Sequence, residues 1–272
     1  MEVGEPVGTI VTFLLDEELC KKNDEPDQVG KCRIGRKGSP GELPTPTAEQ
    51  LNVNMRSGES DAEIPAEPKP KKGKYWDMDR CNPSAFPYQS HHLIPKMHLP
   101  THDVCEWLAV KRPGKEWALT KSTDYDTDHF KNGLALPFAS NTHQWKTTKS
   151  PARKTEICNE MMSRTGKQLH QGSHTYTEYD RGEQDSLHEK EAQSYLGAVD
   201  DLLTMISAAC VTHVEKCTYC KKGDTKPRKV RPLTRVVEAM YEVSAILKTQ
   251  IADRDIFVSE RAAQYRPPRA TD

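Results

Sequence analysis

The apolar positions of this 272-residue chain form two regular stripes near its end and scattered short pieces before them. Leu196, Val199, Leu203, Ile206 and Cys210 recur at spacings of three and four, as do Val236, Met240, Val243, Leu247 and Ile251. That spacing tracks the turn of a helix, so each set predicts one apolar helical face, and the two with a loop between them predict an αα-hairpin. Upstream the pieces are short. "HHLIP", "EWALTK" and "GLALPF" are broken by Gly, Pro and Asp, the pattern of an irregular, loop-rich site domain. "THDVCEWLAV" reads as a helix, and a second helical stretch runs from about Lys154 to Gln168. Residues 1–74 hold one strand-like run, "TIVTFLL", and one aromatic, Phe13; they close on the Pro/Lys-rich linker "AEIPAEPKPKKGK". The expected division is therefore 1–74, 75–185 and 186–272.

Composition narrows the field. Thirty-nine Lys and Arg against 40 Asp and Glu leave no global basic surface, so any nucleic-acid-binding surface has to be local. A hydrophobic share of 35% and a mean hydropathy of −0.80 are low for a fully ordered chain, which points to loops or disorder in part of it. No apolar run approaches the ~20 residues of a membrane span, and no membrane insertion is expected. The acidic start "MEVGEPVGTI" lacks the basic segment of a secretory signal. Eight cysteines fall short of a disulfide scaffold, so reduced thiols are the expectation.

The chemistry-bearing residues come in three groups. His91 and His92 stand side by side in "YQSHHLIPK"; Asn132 opens an Asn-Gly turn in "KNGLALP"; His170 and His174 sit four apart in "LHQGSHTYTEY". Imidazole is the commonest transition-metal ligand among side chains and the group best matched to general-base work near pH 7. A spacing of four puts two histidines on one helical face, and at a loop–helix junction it still lets both reach one ion.

"SHHLIP … KNGLALP … HQGSHTYTEY" resembles the AHH family of bacterial toxin nucleases, within the HNH/endonuclease VII (ββα-metal) superfamily. That family carries Ala-His-His with a proline after it, then Asn-Gly-x-x-Leu-Pro, then His-x-Gly-x-His with a tyrosine behind, here Tyr176. The likeness covers residues 86–180. Ser90 stands where alanine is usual, and a long interval from Phe138 to Leu169 precedes the last motif. The resemblance implies an α+β fold: an irregular ββα-metal nuclease core with added helices, the C-terminal αα-hairpin among them. It also implies residue roles. His91 ligates a metal and His92 is the general base, a division that agrees with neighbouring strand residues pointing to opposite sides. His170 and His174 complete the metal site, and Asn132 holds the loop that positions His92. The implied reaction is phosphodiester hydrolysis, on DNA first, with one divalent ion: Mg2+, Zn2+, Mn2+ or Ni2+. Asp126 or Asp128 would be a further ligand or would orient a histidine.

A nuclease toxin implies a cognate immunity protein, because a free intracellular DNase would kill its maker. It also implies synthesis in a bacterial cytoplasm without a signal peptide and delivery into a target-cell cytoplasm by a system such as type VI secretion. Residues 1–74 would then meet an adaptor or the secretion apparatus. Two rival readings use the same residues: a non-catalytic zinc-binding interaction module, and an RNase. Cys217 and Cys220, in "EKCTYCKKGD", read as half of a structural Zn2+ site, a redox pair or plain thiols; the other half would come from Cys20 and Cys32, or from Cys158 with a histidine. Residues 221–235 carry seven Lys and Arg against one Asp, and Lys222, Arg228 and Lys229 are the candidate phosphate contacts if this is not simply a solvated loop. His98, His102, His129, His143, His188 and His213 read as ordinary surface or core residues. Tyr176 and Tyr179 read as packing before nucleotide stacking.

Overall fold

Strand β1, Tyr88–His92, pairs antiparallel with strand β2, Gly133–Pro137, in the only sheet among the described residues. The computed structural model describes residues 48–57, 64–66, 75–95, 98–99, 102–108, 125–171, 195–216 and 234–266. Around the two strands lie helices α1 (Ala48–Ser57), α2 (Cys105–Leu108), α3 (His143–Thr147), α4 (Pro151–Thr165), α5 (Tyr195–Lys216), α6 (Thr234–Ala252) and α7 (Glu260–Gln264). Mixed helices and a small antiparallel sheet agree with the expected α+β fold class. The strand-like residues 9–15 lie outside the described residues.

The chain forms two compact units. One gathers Ala48–Leu93, Gly133–Ala198 and Leu247–Asp272, and so holds both strands. Its core is built from Met78, Phe86, Ile157, Met161 and Leu169, with Tyr88 and Trp145 packed at the margin. Helix α4 starts where Ser150 accepts a hydrogen bond from the Arg153 N–H and Pro151 takes the first turn; it stops at Gly166, whose φ of 67° suits a residue without a side chain. The helix therefore begins and ends about three residues earlier than the apolar pattern suggested, because its caps and not its stripe set the ends.

Helix α1 precedes the boundary expected near Lys74 and belongs to the unit that holds both strands. It lies against both strands of the sheet, with Leu51 fully buried and Met55 nearly so. Gly133 shows how close the approach is: a Cβ there would sit 2.6 Å from Met55 Sδ and 3.0 Å from Leu51 Cδ1. Tyr88 donates its hydroxyl to Asn52 Oδ1 at 2.8 Å, and Arg56 lies over the Tyr88 ring. Part of the expected N-terminal region thus belongs to the unit that carries the paired histidines. Apolar contact, which polar composition around it masked, is the reason.

The other unit includes Ile94–Asn132 and Val199–Ile246. Both C-terminal helices form as their stripes predict, and Val199, Leu203, Ile206, Cys210, Val236, Met240 and Val243 are all essentially inaccessible. The loop predicted between them lies outside the described residues. Over Tyr195–Thr212, helix α5 is long and apolar enough to cross a membrane, contrary to the expectation that no run reaches that length. Of its apolar stripe, Val199, Leu203, Ile206 and Cys210 are nevertheless buried and Leu196 is half-buried. One face of α5 receives the segment before it. His98 Nε2 lies 3.2 Å from Asp200 Oδ1, His102 Nε2 lies 3.1 Å from Thr204 Oγ1, and Trp107 Nε1 donates to Ser207 Oγ at 3.2 Å. The expected helix at "THDVCEWLAV" is the single turn α2 among the described residues.

Candidate functional site

A strand sends alternate side chains to opposite faces, and directly paired antiparallel residues share a face. His92 pairs with Gly133, Ser90 with Ala135 and Tyr88 with Pro137. The contacts of Gly133 and Tyr88 place that set on the face covered by α1. Gln89 and His91, paired with Leu136 and Leu134, take the other face.

On that second face the structure brings distant histidines together. The His91 and His170 rings lie edge to face with centres 4.9 Å apart, and the Tyr195 ring is 5.0 Å from His91. His91 is buried, at 5% exposure. His170 is held at two points: its N–H donates to Pro137 O at 2.9 Å, and its Nδ1 lies 2.9 Å from Gln89 Oε1. Tyr195 donates its hydroxyl to the carbonyls of His92 and Leu93, which props the end of β1. Burial pushes its phenol well above the ordinary range, so it stays a neutral donor.

Two imidazoles bound to one ion at about 2.0 Å and a tetrahedral angle put their ring centres about 5 Å apart. The His91–His170 pair meets that requirement, and its donor chemistry suits a divalent transition ion. Among the described residues no group of three or more His, Cys, Asp or Glu side chains could hold a metal ion. The third expected ligand, His174, lies outside them.

Asn132 is fully buried at the end of the 3-10 turn Phe130–Asn132, immediately before β2. Its Oδ1 accepts from the Ile94 N–H at 2.8 Å and from Ser244 Oγ at 3.0 Å; its Nδ2 donates to Ile94 O at 3.2 Å and Thr127 O at 2.8 Å. Two donors and two lone pairs are all an amide has, so no capacity is left for substrate. These bonds clamp the backbone of Ile94, two residues beyond His92. Asp126 Oδ1 accepts from the Asp128 N–H at 2.9 Å, an ordinary turn bond, and Asp128 is buried.

The other expected residues divide in the same way. Cys217, Cys220, Lys222, Arg228, Lys229, Tyr176 and Tyr179 lie outside the described residues. Cys158 sits in the core beside Met161 and Met162, and burial pushes its thiol up to about 11, which opposes the thiolate that zinc takes. His129 stacks on Tyr241 at 4.7 Å, and burial lowers its pKa. Sequence reasoning missed Gln89, Gln168 and Tyr195. Gln89 carries a faint signal, since it stands two residues before His91 and so shares its face. Tyr195 carries none, because the contact spans 104 residues (195 minus 91).

No curated protein and no solved structure matches this chain. A family model does match residues 79–212: AHH, a nuclease family of the HNH/ENDO VII superfamily with conserved AHH. The match takes in both strands, the His91–His92 pair, Asn132, His170 and most of α5. Ser90, His91 and His92 lie inside this match and resemble the Ala-His-His motif that gives the family its name, so residues 79–212 are similar to the AHH family of nucleases.

Proposed function

We propose that this nuclease hydrolyses DNA in a metal-dependent reaction, with His91, His170 and His174 as ligands of one divalent ion and His92 as general base. The observation that carries this reading is the meeting of His91 and His170, 79 residues apart (170 minus 91), with ring centres at 4.9 Å on one face of β1. When bound, the ion would neutralise charge at the scissile phosphate. His92, half-buried on the strand's other face, would accept a proton from the attacking water. Asn132, through Ile94, and Tyr195, through the carbonyls of His92 and Leu93, would fix the backbone that aims that ring. Such a core would be of the ββα-metal type, with α5 and α6 as an added helical hairpin.

The biological setting is part of the same proposal and rests on resemblance. The protein would be an antibacterial toxin made in one bacterium's cytoplasm, passed to another's by a system such as type VI secretion, and neutralised by an immunity protein. Lys222, Arg228 and Lys229 would contact phosphates, Cys217 and Cys220 would join a structural zinc site, and residues before α1 would meet the delivery machinery.

The test is cleavage of supercoiled plasmid and of a structured RNA by the purified chain, with Mg2+, Mn2+, Zn2+ or Ni2+ and with a chelator. Nicking of DNA that chelator stops and one of these ions restores is the expected result. Cleavage of RNA alone would move the substrate. Stoichiometric zinc with no cleavage of either would favour a binding module instead.

A further inference from the structure

We propose that Gln89 is a positioning residue that sets the tautomer and ring angle of His170; this rests on the reading that His170 is a metal ligand. The backbone of His170 is already fixed without Gln89. Its N–H is bonded to Pro137 O at the end of β2. The residue before it, Leu169, accepts a hydrogen bond from Ser259 Oγ at 3.0 Å. Gln168 is buried and donates to Ile251 O and Ile256 O, both at 2.7 Å, while its Oε1 accepts from the Val258 N–H at 3.0 Å. With the main chain held this firmly, the rotation of the imidazole and the position of its proton are what remain to be set.

Gln89 meets that need from the adjacent strand. It shares the face of His91, and its partner in the sheet, Leu136, is next to the Pro137 that holds the His170 N–H. Its Oε1 stands 2.9 Å from His170 Nδ1. A carbonyl oxygen only accepts, so Nδ1 carries the hydrogen, and in a neutral imidazole the lone pair then belongs to Nε2. That is the tautomer a free histidine side chain disfavours, and it is the one a metal bound through Nε2 requires. Groups that hold the second nitrogen of a ligating histidine fix the ring and tune its basicity. A carboxylate in this place would add a negative charge beside a centre that must receive a phosphodiester. The neutral amide orients the ring without that charge.

The experiment uses the full chain, with Gln89→Leu and Gln89→Glu. Nitrogen-15 spectra of the metal-free protein, with the His170 signal assigned by His170→Ala, report the tautomer. Calorimetric titration with Zn2+ alone reports affinity. The wild type should show the Nδ1–H form. Gln89→Leu should release it toward Nε2–H and weaken zinc about 10- to 100-fold. Gln89→Glu should keep the Nδ1–H form and restore zinc affinity to within a few-fold of wild type or above it, a rescue that a purely structural role would not give. An unchanged tautomer and unchanged zinc affinity in Gln89→Leu overturn the proposal, as does a Gln89→Glu variant that loses zinc equally. If zinc affinity ignores His170→Ala, the ligand reading itself fails. That failure is distinguishable, because the tautomer is read without metal.

Discussion

The two faces of strand β1 are built from consecutive residues and do different work. One face turns Gln89 and His91 toward His170 and Tyr195, where contacts are polar or between rings. The other turns Tyr88, Ser90 and His92 toward α1, where Leu51 and Met55 close over the sheet by apolar contact. The difference teaches why a pair of adjacent histidines is useful. A strand's period of two separates neighbours automatically, so one ring can bind while the next stays apart from it, with no extra element needed to keep them distinct.

The sharpest break in that comparison is chemical. His91→Ala and His92→Ala should each reduce plasmid cleavage by a factor on the order of 10² to 10⁴, the usual worth of a positioned base or more. Only His91→Ala should lose metal affinity in a calorimetric titration. Equal loss in His92→Ala would mean that the two faces are not separated.

Removing one face's cover comes next in size. A chain starting at Lys74 lacks α1 and should lose stability and, with it, cleavage; a chain starting at Ala48 keeps the helix and serves as its reference. Within the full chain, Leu51→Ala should cost about 2–5 kcal/mol, as buried leucine truncations do. Chemical denaturation measures each. A chain from Lys74 as stable and as active as one from Ala48 would show that α1 is a passenger.

Gly133→Ala tests how tightly that cover fits. The new methyl would press on Met55 and Leu51, at a cost of about 1–3 kcal/mol. Met55→Ala in the same chain should recover much of it, since the nearest atoms belong to one flexible side chain. A double-mutant cycle gives the coupling directly.

The smallest effect should come from Ser90. Its Oγ is buried with no hydrogen-bond partner among the described residues. Ser90→Ala removes an unsatisfied group and brings in the residue usual in the AHH motif. Stability should rise by roughly 1 kcal/mol with cleavage unchanged. A measurable loss of stability would reveal a bond for this hydroxyl and make its face more polar than described.

Sequence alone determined the features whose physics is local. The stripes of α5 and α6 were readable because a helix repeats its buried face every three or four residues, and those positions are buried apart from the half-buried Leu196. The three motifs were readable because each fits within a dozen residues, and they identified the nuclease family. Only tertiary structure decided the rest. It brought His170 to His91, set Gln89 and Tyr195 against them, used every hydrogen-bonding position of Asn132, and laid α1 over the sheet. Apart from the Asn132–Thr127 bond, the contacts named join residues from 32 (88 minus 56) to 112 positions apart. Contacts at such separations leave no periodic trace along a chain; they depend on which surfaces exclude water together, and that is settled only when the whole unit packs.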